Sequence, residues 1–306
     1  MKISIVMATY NGYKYLSKQL DSILNQTLPP DEIVIVDDCS TDDYKTLALL
    51  DKYEQKYKSI KLIKNKINLG WQANFINGVK CSTGEVIFFA DQDDIWESDK
   101  IEKMLAVFNS VQNAKAIVSN YSFIDETGNK IRKRKEYTQC TNKVKKVSFN
   151  SHFVETNRLG CTLCIDTVYA KKYIDLWVER FPHDQFFELL TEITENLYLL
   201  EIPLIRHRIH SNNTDVMHIF DSNVRANTQR TINRQINILL DNQARFGIDE
   251  NKISSIREYL KYGQEREAML RSNSITGWLM LVRYLEFYPS IKMYFGDLKS
   301  IIKEIL

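Results

Sequence analysis

Three aspartates fall within four positions, Asp91-Gln92-Asp93-Asp94, directly after the apolar run Val86 to Ala90. Carboxylates this close repel one another unless something positive sits among them, and hard cations such as Mg²⁺ and Mn²⁺ prefer carboxylate oxygen. Asp91 and Asp93 are two residues apart, so both can turn toward one ion where the chain leaves a strand. The plainer reading is a polar turn before a helix, because aspartate favours turns. A second acidic run, Asp37-Asp38-Cys39-Ser40-Thr41-Asp42, follows the segment Glu32 to Val36. A carboxylate there can accept a hydrogen bond from a base N–H or a ribose hydroxyl, or the run can cap the next helix. The first apolar segment, Ile3 to Met7, ends in Ala8-Thr9-Tyr10-Asn11-Gly12. Tyr10 can lie flat against a nucleobase or simply pack.

These groups need strands to carry them, and the first half of the chain supplies strands alternating with helices. Strands are expected over Ile3–Met7, Glu32–Val36, Lys61–Lys64, Glu85–Ala90 and Ala116–Ser119, separated by helices over Tyr13–Asn25, Asp42–Tyr57, Trp71–Lys80 and Asp99–Asn109. Near-continuous apolar strands between amphipathic helices imply a mostly parallel sheet covered on both faces. Ligands of such sheets bind beyond the carboxyl ends of the strands, where both acidic runs fall. Residues 121–158 are irregular and basic, with Lys130-Ile-Arg-Lys-Arg-Lys135 and Lys143 to Lys146. This segment reads as a solvated loop or hairpin, or as an attractor of a phosphate-bearing substrate. A helix near Thr167–Arg180, another following Asp184 and a strand around Leu197–Leu200 come next, and after about residue 220 the pattern is helical only.

The bulk numbers narrow the class. A chain of 306 residues suits one large α/β domain with an appendage, divided here as 1–215 and 216–306. A net charge of +2 argues against a dedicated nucleic-acid binder. Five scattered cysteines fit reduced thiols and a cytoplasmic chain, with Cys161-x-x-Cys164 read as core packing. The apolar stretch at the start runs into Asn11-Gly12 and reads as strand and turn, not signal peptide. No window approaches the length of a membrane span.

The succession Ala-Thr-Tyr-Asn at 8–11, Ile-Val-Asp-Asp-Cys-Ser-Thr-Asp at 35–42 and Phe-Phe-Ala-Asp-Gln-Asp-Asp at 88–94 resembles the family 2 glycosyltransferases. Asn68-Leu-Gly70, followed by Asn74 and Asn77-Gly78, resembles the stretch family members carry before the metal motif. The resemblance covers roughly residues 1–215. It implies a GT-A nucleotide-sugar-binding fold, α/β with a mostly parallel central sheet flanked by helices, to which this chain adds an α-helical C-terminal extension. It also implies that Thr9, Tyr10, Asn11, Asp38, Asn68, Gly70, Asn74 and Asp91 serve the nucleotide-sugar, and that Asp91 and Asp93 reach a Mn²⁺ or Mg²⁺ ion on the donor diphosphate.

Phe181-Pro-His-Asp184 resembles the segment that supplies the base, and Asp184 falls on the matching position, although many relatives carry Glu-Asp where this chain has His183-Asp184. The base takes the proton from the attacking acceptor hydroxyl. Arg206-His-Arg208-Ile-His210-Ser-Asn212-Asn213 resembles an element that closes over the donor phosphates. On that likeness Arg208 neutralises diphosphate charge, and His210 binds phosphate or completes the metal shell. The Gln-x-x-Arg-Trp motif of processive members is absent, which implies one sugar per encounter.

The implied activity is inverting transfer of one sugar to a glycan or lipid-linked acceptor. Asp91 to Trp96, with Gly160-Cys161-Thr162, looks like bacterial rhamnosyltransferases of surface-polysaccharide synthesis, which points to dTDP-rhamnose; related enzymes using UDP-hexoses look similar. A non-catalytic nucleotide- or carbohydrate-binding module is the reading from another class. A nucleotidyltransferase would carry a Gly-rich loop after the first strand, where this chain has Thr-Tyr-Asn-Gly. The last 35 or so residues interleave Trp278, Leu279, Tyr284, Phe287, Tyr294 and Phe295 with Arg283, Lys292, Lys299 and Lys303. They are expected to serve as a cap, a homodimer contact or a peripheral anchor on the inner face of the cell membrane.

Overall fold

The computed structural model describes residues 1–131, 137–155, 158–210 and 221–305. Strands β1 (Ile3–Thr9), β2 (Glu32–Asp37), β3 (Ile60–Lys64) and β4 (Val86–Ala90) form where β-branched and other apolar residues predominate. Helices α1 (Tyr13–Leu24), α2 (Lys45–Lys56) and α3 (Trp71–Cys81) connect them. Then follow β5 (Ile95–Trp96), α4 (Lys100–Ser110), β6 (Ala116–Ile124), β7 (Lys130–Ile131), β8 (Val144–Lys146), β9 (Leu163–Asp166), α5 (Thr167–Tyr173), α6 (His183–Ile193) and β10 (Leu197–Arg208). The C-terminal helices are α7 (Ser222–Asp241), α8 (Glu250–Ser272), α9 (Ile275–Met280) and α10 (Ile291–Ile305).

All the strands join one sheet in the order β3-β2-β1-β4-β9-β6-β10-β5, with β7 paired to β6 and β8 to β10. The β1/β2, β2/β3, β1/β4 and β6/β10 pairings are parallel, whereas β9 lies antiparallel to both β4 and β6. Because β9 reverses direction once on each side, β4 and β6 point the same way. The carboxyl ends of β1, β2, β4, β6 and β10 therefore share one edge. Alternation along each strand divides the core between two faces. Val6, Ile87 and Phe89 face α3, α5, α6 and the C-terminal helices, while Ile5, Met7, Ile35 and Phe88 face α1 and α4. The apolar cluster on the first face runs continuously from Val6 to Ile301.

The structure departs from the sequence reading in three places. The helix expected over Thr167–Arg180 stops at Tyr173, because α7 captures the next segment. After one 3₁₀ turn at Ile174–Leu176, Gln235 of α7 accepts from Val178 N–H (2.9 Å) and donates to Leu176 O (2.9 Å), which keeps the chain beyond it out of α-helix. The strand expected over Leu197–Leu200 continues to Arg208, crossing two register shifts around Pro203. In the C-terminal segment most aromatics turn inward. Trp278, Tyr284, Phe287 and Tyr294 are buried and build the interior of the extension, whereas Leu279 and Phe295 are exposed. Cys161 and Cys164 are buried free thiols within the core, as expected. Among the basic residues, Lys145 and Lys146 on β8 pair with Glu201 and Glu195; the expected run at 132–135 lies outside the described residues.

Candidate active site

The strand register sets the first part of the site. Thr9 lies opposite Asp37 across β1 and β2, and its hydroxyl donates to the Asp37 carboxylate at 3.0 Å. Asp37 also accepts from the Ser40 hydroxyl (2.6 Å) and backbone N–H (2.9 Å), closing the turn after β2. Beside it the buried Asp38 gathers three donors, Leu69 N–H (2.7 Å), Gly70 N–H (2.9 Å) and the Asn65 amide (3.2 Å). Gly70 takes φ +87°, a conformation that suits glycine, at the entry to α3. Asn68 donates to Asp38 O (3.2 Å), and the buried Asn74 accepts from Asn65 (2.7 Å). Thr9, Asp38 and Asn74 thus frame the loop at 65–70.

Tyr10 and Asn11 stand at the surface above this frame. Tyr10 is 42% exposed, and its backbone N–H and C=O both pair with the Gln92 amide at 2.9 and 3.1 Å. Asn11, at φ +50°, accepts from Thr41 N–H at 2.7 Å. Gln92, inside the acidic run, therefore fastens the end of β1 to the end of β4. Nothing in its sequence context marked it.

The three aspartates after β4 have unequal surroundings. Asp94 is fully buried, accepts from Arg208 N–H (3.0 Å) and sits 3.0 Å from His207 Nδ1. Burial works against its charge, yet His207, Cys161 and the Arg208 N–H hold Asp94 below the ordinary carboxylate range. Burial likewise opposes a charge on His207, but Asp94, Asp91 and Asp93 outweigh it and raise His207 to about 9. Asp93 lies 2.7 Å from His210 Nε2; burial and Asp94 push it upward against the pull of His210 and His207. Asp91 makes no hydrogen bond among the described residues. Burial, then Asp94 and Asp93, raise it to about 8, and the charge of Asp184 adds to the effect. Asp184 thus lies near enough for its charge to act on Asp91.

Asp94, Cys161 and His207 bring three ligand-type atoms within 4.8 Å of one another. That trio is only partly satisfied, since the buried Asp94 Oδ2 has no hydrogen-bond partner among the described residues. Asp94 already holds His207 and a backbone N–H, and burial with Asp94 and Asp91 keeps Cys161 a thiol. Among the described residues Asp91, Asp93 and His210 do not come together in such a group, although Asp91 and Asp93 carry the oxygen donors that a hard cation prefers.

Asp184 sits in the first turn of α6, where its carboxylate accepts from Gln185 N–H at 2.9 Å. A Cβ on Gly160 would stand 2.9 Å from Asp184 Oδ2, so only glycine leaves room for this side chain. The preceding His183 is buried and stacks on Phe75 with ring centres 3.8 Å apart.

Arg208 supports the acidic turn from within the fold. It is wholly buried, lies over the Tyr15 ring at 4.6 Å and donates to the carbonyls of Asp93 (2.8 Å), Asp125 (3.0 Å) and Glu126 (3.1 Å). Its guanidinium fixes the backbone of the acidic turn from behind. Asn212 and Asn213 lie outside the described residues. Three residues that did not stand out in the sequence complete the cluster: His207, Gln92 and Lys100. Lys100 is buried with its amine 2.7 Å from Cys161 O, and burial lowers it to about 8 against the pull of nearby thiols and aspartates.

Comparison with known proteins agrees with this geometry. Residues 4–169, more than half of the chain, match the model of Glycosyl transferase family 2. An uncharacterised glycosyltransferase of Methanocaldococcus jannaschii is 30% identical over 198 residues, which cover 62% of this chain and 68% of that protein. The poly(ribitol-phosphate) beta-glucosyltransferase of Bacillus spizizenii is 40% identical over 104 residues, covering 33% of this chain and 16% of its own length. The chain spans 34% or less of several relatives it matches. Among solved structures, S. aureus TarS in complex with UDP-GlcNAc has a TM-score of 0.65 at 19% identity, covering 100% of this chain and 82% of that one; at this identity the likeness concerns the fold. The chain belongs to glycosyl transferase family 2, with a GT-A sheet and added C-terminal helices.

Proposed function

We propose that the protein transfers one sugar, with inversion, from a nucleoside-diphosphate donor to a glycan or lipid-linked saccharide in cell-surface polymer synthesis. The observation that carries this reading is Asp91, a carboxylate without a hydrogen-bond partner among the described residues, inside an acidic cluster that the charge of Asp184 reaches. Asp91, Asp93 and His210 would hold Mn²⁺ or Mg²⁺, which would neutralise charge on the departing diphosphate. Tyr10 and Asn11 stand where a nucleoside can lie along the sheet edge, with Asn68 and Gly70 on the facing loop. Thr9, Asp38 and Asn74 hold that loop in place, and Arg208 holds the acidic turn. Asp184 takes the proton from the acceptor hydroxyl as its oxygen attacks the anomeric carbon from the side opposite the leaving nucleotide.

A UDP-hexose donor is favoured by the glucosyltransferase relative and by the UDP-GlcNAc bound to the structural neighbour. A dTDP-rhamnose donor is favoured by the Asp91 to Trp96 motif. Thermal stability measured against UDP, dTDP, GDP and CMP, each with and without Mn²⁺, separates them, because a ligand that binds only the folded state raises the melting point. We expect one nucleoside diphosphate to stabilise the protein only when metal is present. No response to any nucleotide would sink the reading. Asp184→Asn should keep that response and slow transfer by about 10²- to 10⁴-fold; transfer at the normal rate would remove Asp184 from the base role.

A further inference from the structure

Helix α10 presents apolar residues on two sides. Tyr294 and Ile301 point inward, together with the buried Asp297. A second stripe, Ile291, Phe295, Ile302 and Ile305, is 40–56% exposed. At about 100° per residue these four fall within an arc of roughly 80°. Lys292, Lys299 and Lys303, all exposed, form a row along one border of that arc. The exposed Glu304 lies on a different side of the helix. Leu279 of α9 and Val282 of the 3₁₀ helix that follows it are exposed as well. Phe295 joins α10 to α9, its ring centre 5.9 Å from that of Trp278. Buried aromatics and the Trp278 N–H bond to Tyr294 O (3.0 Å) hold both helices in position. The exposed stripe is therefore a fixed surface, and the interior of the extension does not need it.

We propose that this face lies in the plane of a lipid bilayer carrying anionic headgroups, with the apolar stripe among the upper acyl chains and the lysine row at headgroup level. An interfacial helix requires an apolar stripe bordered by basic residues, and both are present here at fitting positions. Charge selects lipid over a second copy of the chain, because two such faces brought together would add lysine rows and supply no matching row of carboxylates. Among the described residues no helix is long and apolar enough to cross a membrane, so the contact is peripheral. The inference goes beyond the transfer reaction, and it places the sheet edge at a fixed distance from a surface where a lipid-linked acceptor would reside.

The test is flotation of the full chain with vesicles of phosphatidylcholine containing phosphatidylglycerol, and with phosphatidylcholine alone. The full chain should float with the anionic vesicles. Leu279→Glu with Phe295→Glu, and separately Ile291→Glu with Ile302→Glu, should each lower binding about tenfold or more. Lys292→Glu with Lys303→Glu should abolish the preference for anionic vesicles. A retained nucleotide-dependent melting shift shows that each variant is folded, and loss of that shift in the unaltered chain would bear on the transfer site alone. Absence of flotation, or unchanged flotation of both apolar variants, overturns the proposal. So does a dimer in sedimentation that the apolar variants split into monomers, which would assign the face to a second copy.

Discussion

Two clusters of buried charge differ in how completely they are satisfied. In the C-terminal extension, Asp297 is fully buried and accepts from Arg225 Nε (2.7 Å), Arg266 Nε (2.8 Å), Arg266 Nη2 (3.0 Å) and the Tyr288 hydroxyl (2.8 Å). Burial alone would raise Asp297, but Arg266, Arg225 and Tyr288 hold it below the usual carboxylate range. At the strand ends the balance is reversed. Among the described residues Asp94 is paired through one oxygen only, Asp93 shares His210, and Asp91 has burial and two like charges but no hydrogen bond. A saturated cluster ties helices together. One left a partner short can take up a cation, and strongly displaced carboxylates gather at functional sites.

Removing one member of each cluster should therefore have opposite consequences. Asp297→Ala leaves Arg225 and Arg266 buried with nothing to offset them and should cost about 3–5 kcal/mol of stability. Chemical denaturation would show this, and a loss near zero would mean that the two arginines find other partners. Gly160→Ala acts on Asp184 beside the acidic cluster and leaves the residues of both clusters in place. Its methyl group would meet Asp184 Oδ2, so the base should shift and transfer should fall by about 10²-fold. The nucleotide-dependent melting shift should survive, and its loss would mean that Gly160 supports the donor site as well. Asp91→Asn removes one of the crowded charges and should leave the metal-free protein unchanged or more stable by about 0.5–2 kcal/mol. The same variant should lose the metal-dependent response to nucleotide. Destabilisation on the scale of Asp297→Ala would erase the distinction between the clusters.

Much of this arrangement can be read along the chain, since the relevant residues follow their strands directly. Val86 to Ala90 is buried on both faces, so it is apolar throughout, and the carboxylates that come next must lie at the strand end. The partners of those carboxylates are far away in sequence. His207 and Arg208 reach Asp94 from β10, 113 and 114 positions later, along a strand that Glu201, Pro203 and Arg206 disguise. An arginine beside histidines in a polar stretch resembles a ligand-binding residue, and only the fold shows that backbone carbonyls hold it. The aromatic C-terminus misleads for a related reason. Six-residue α9 and the turn after it conceal which rings point inward, so the exposed face emerges only when buried and exposed positions are separated.

His183 shows a third way of keeping a titratable group inside, and its substitution should have the smallest effect. Among the described residues neither ring nitrogen has a hydrogen-bond partner, and burial alone lowers it from 6.5 to about 3. A histidine depressed in this way stays neutral when folded but takes a proton when unfolded. Its contribution is present above pH 6.5 and is lost as the pH falls toward 3. His183→Leu should change stability by no more than about 1 kcal/mol at pH 7. Relative to the parent protein, the variant should gain stability as the pH is lowered, which urea unfolding at pH 7 and at about pH 4.5 would reveal. Parallel pH dependences would mean that the imidazole takes up a proton inside the fold. In that event the residue next to Asp184 would belong with the charged cluster at the strand ends, and not with the neutral packing around Phe75.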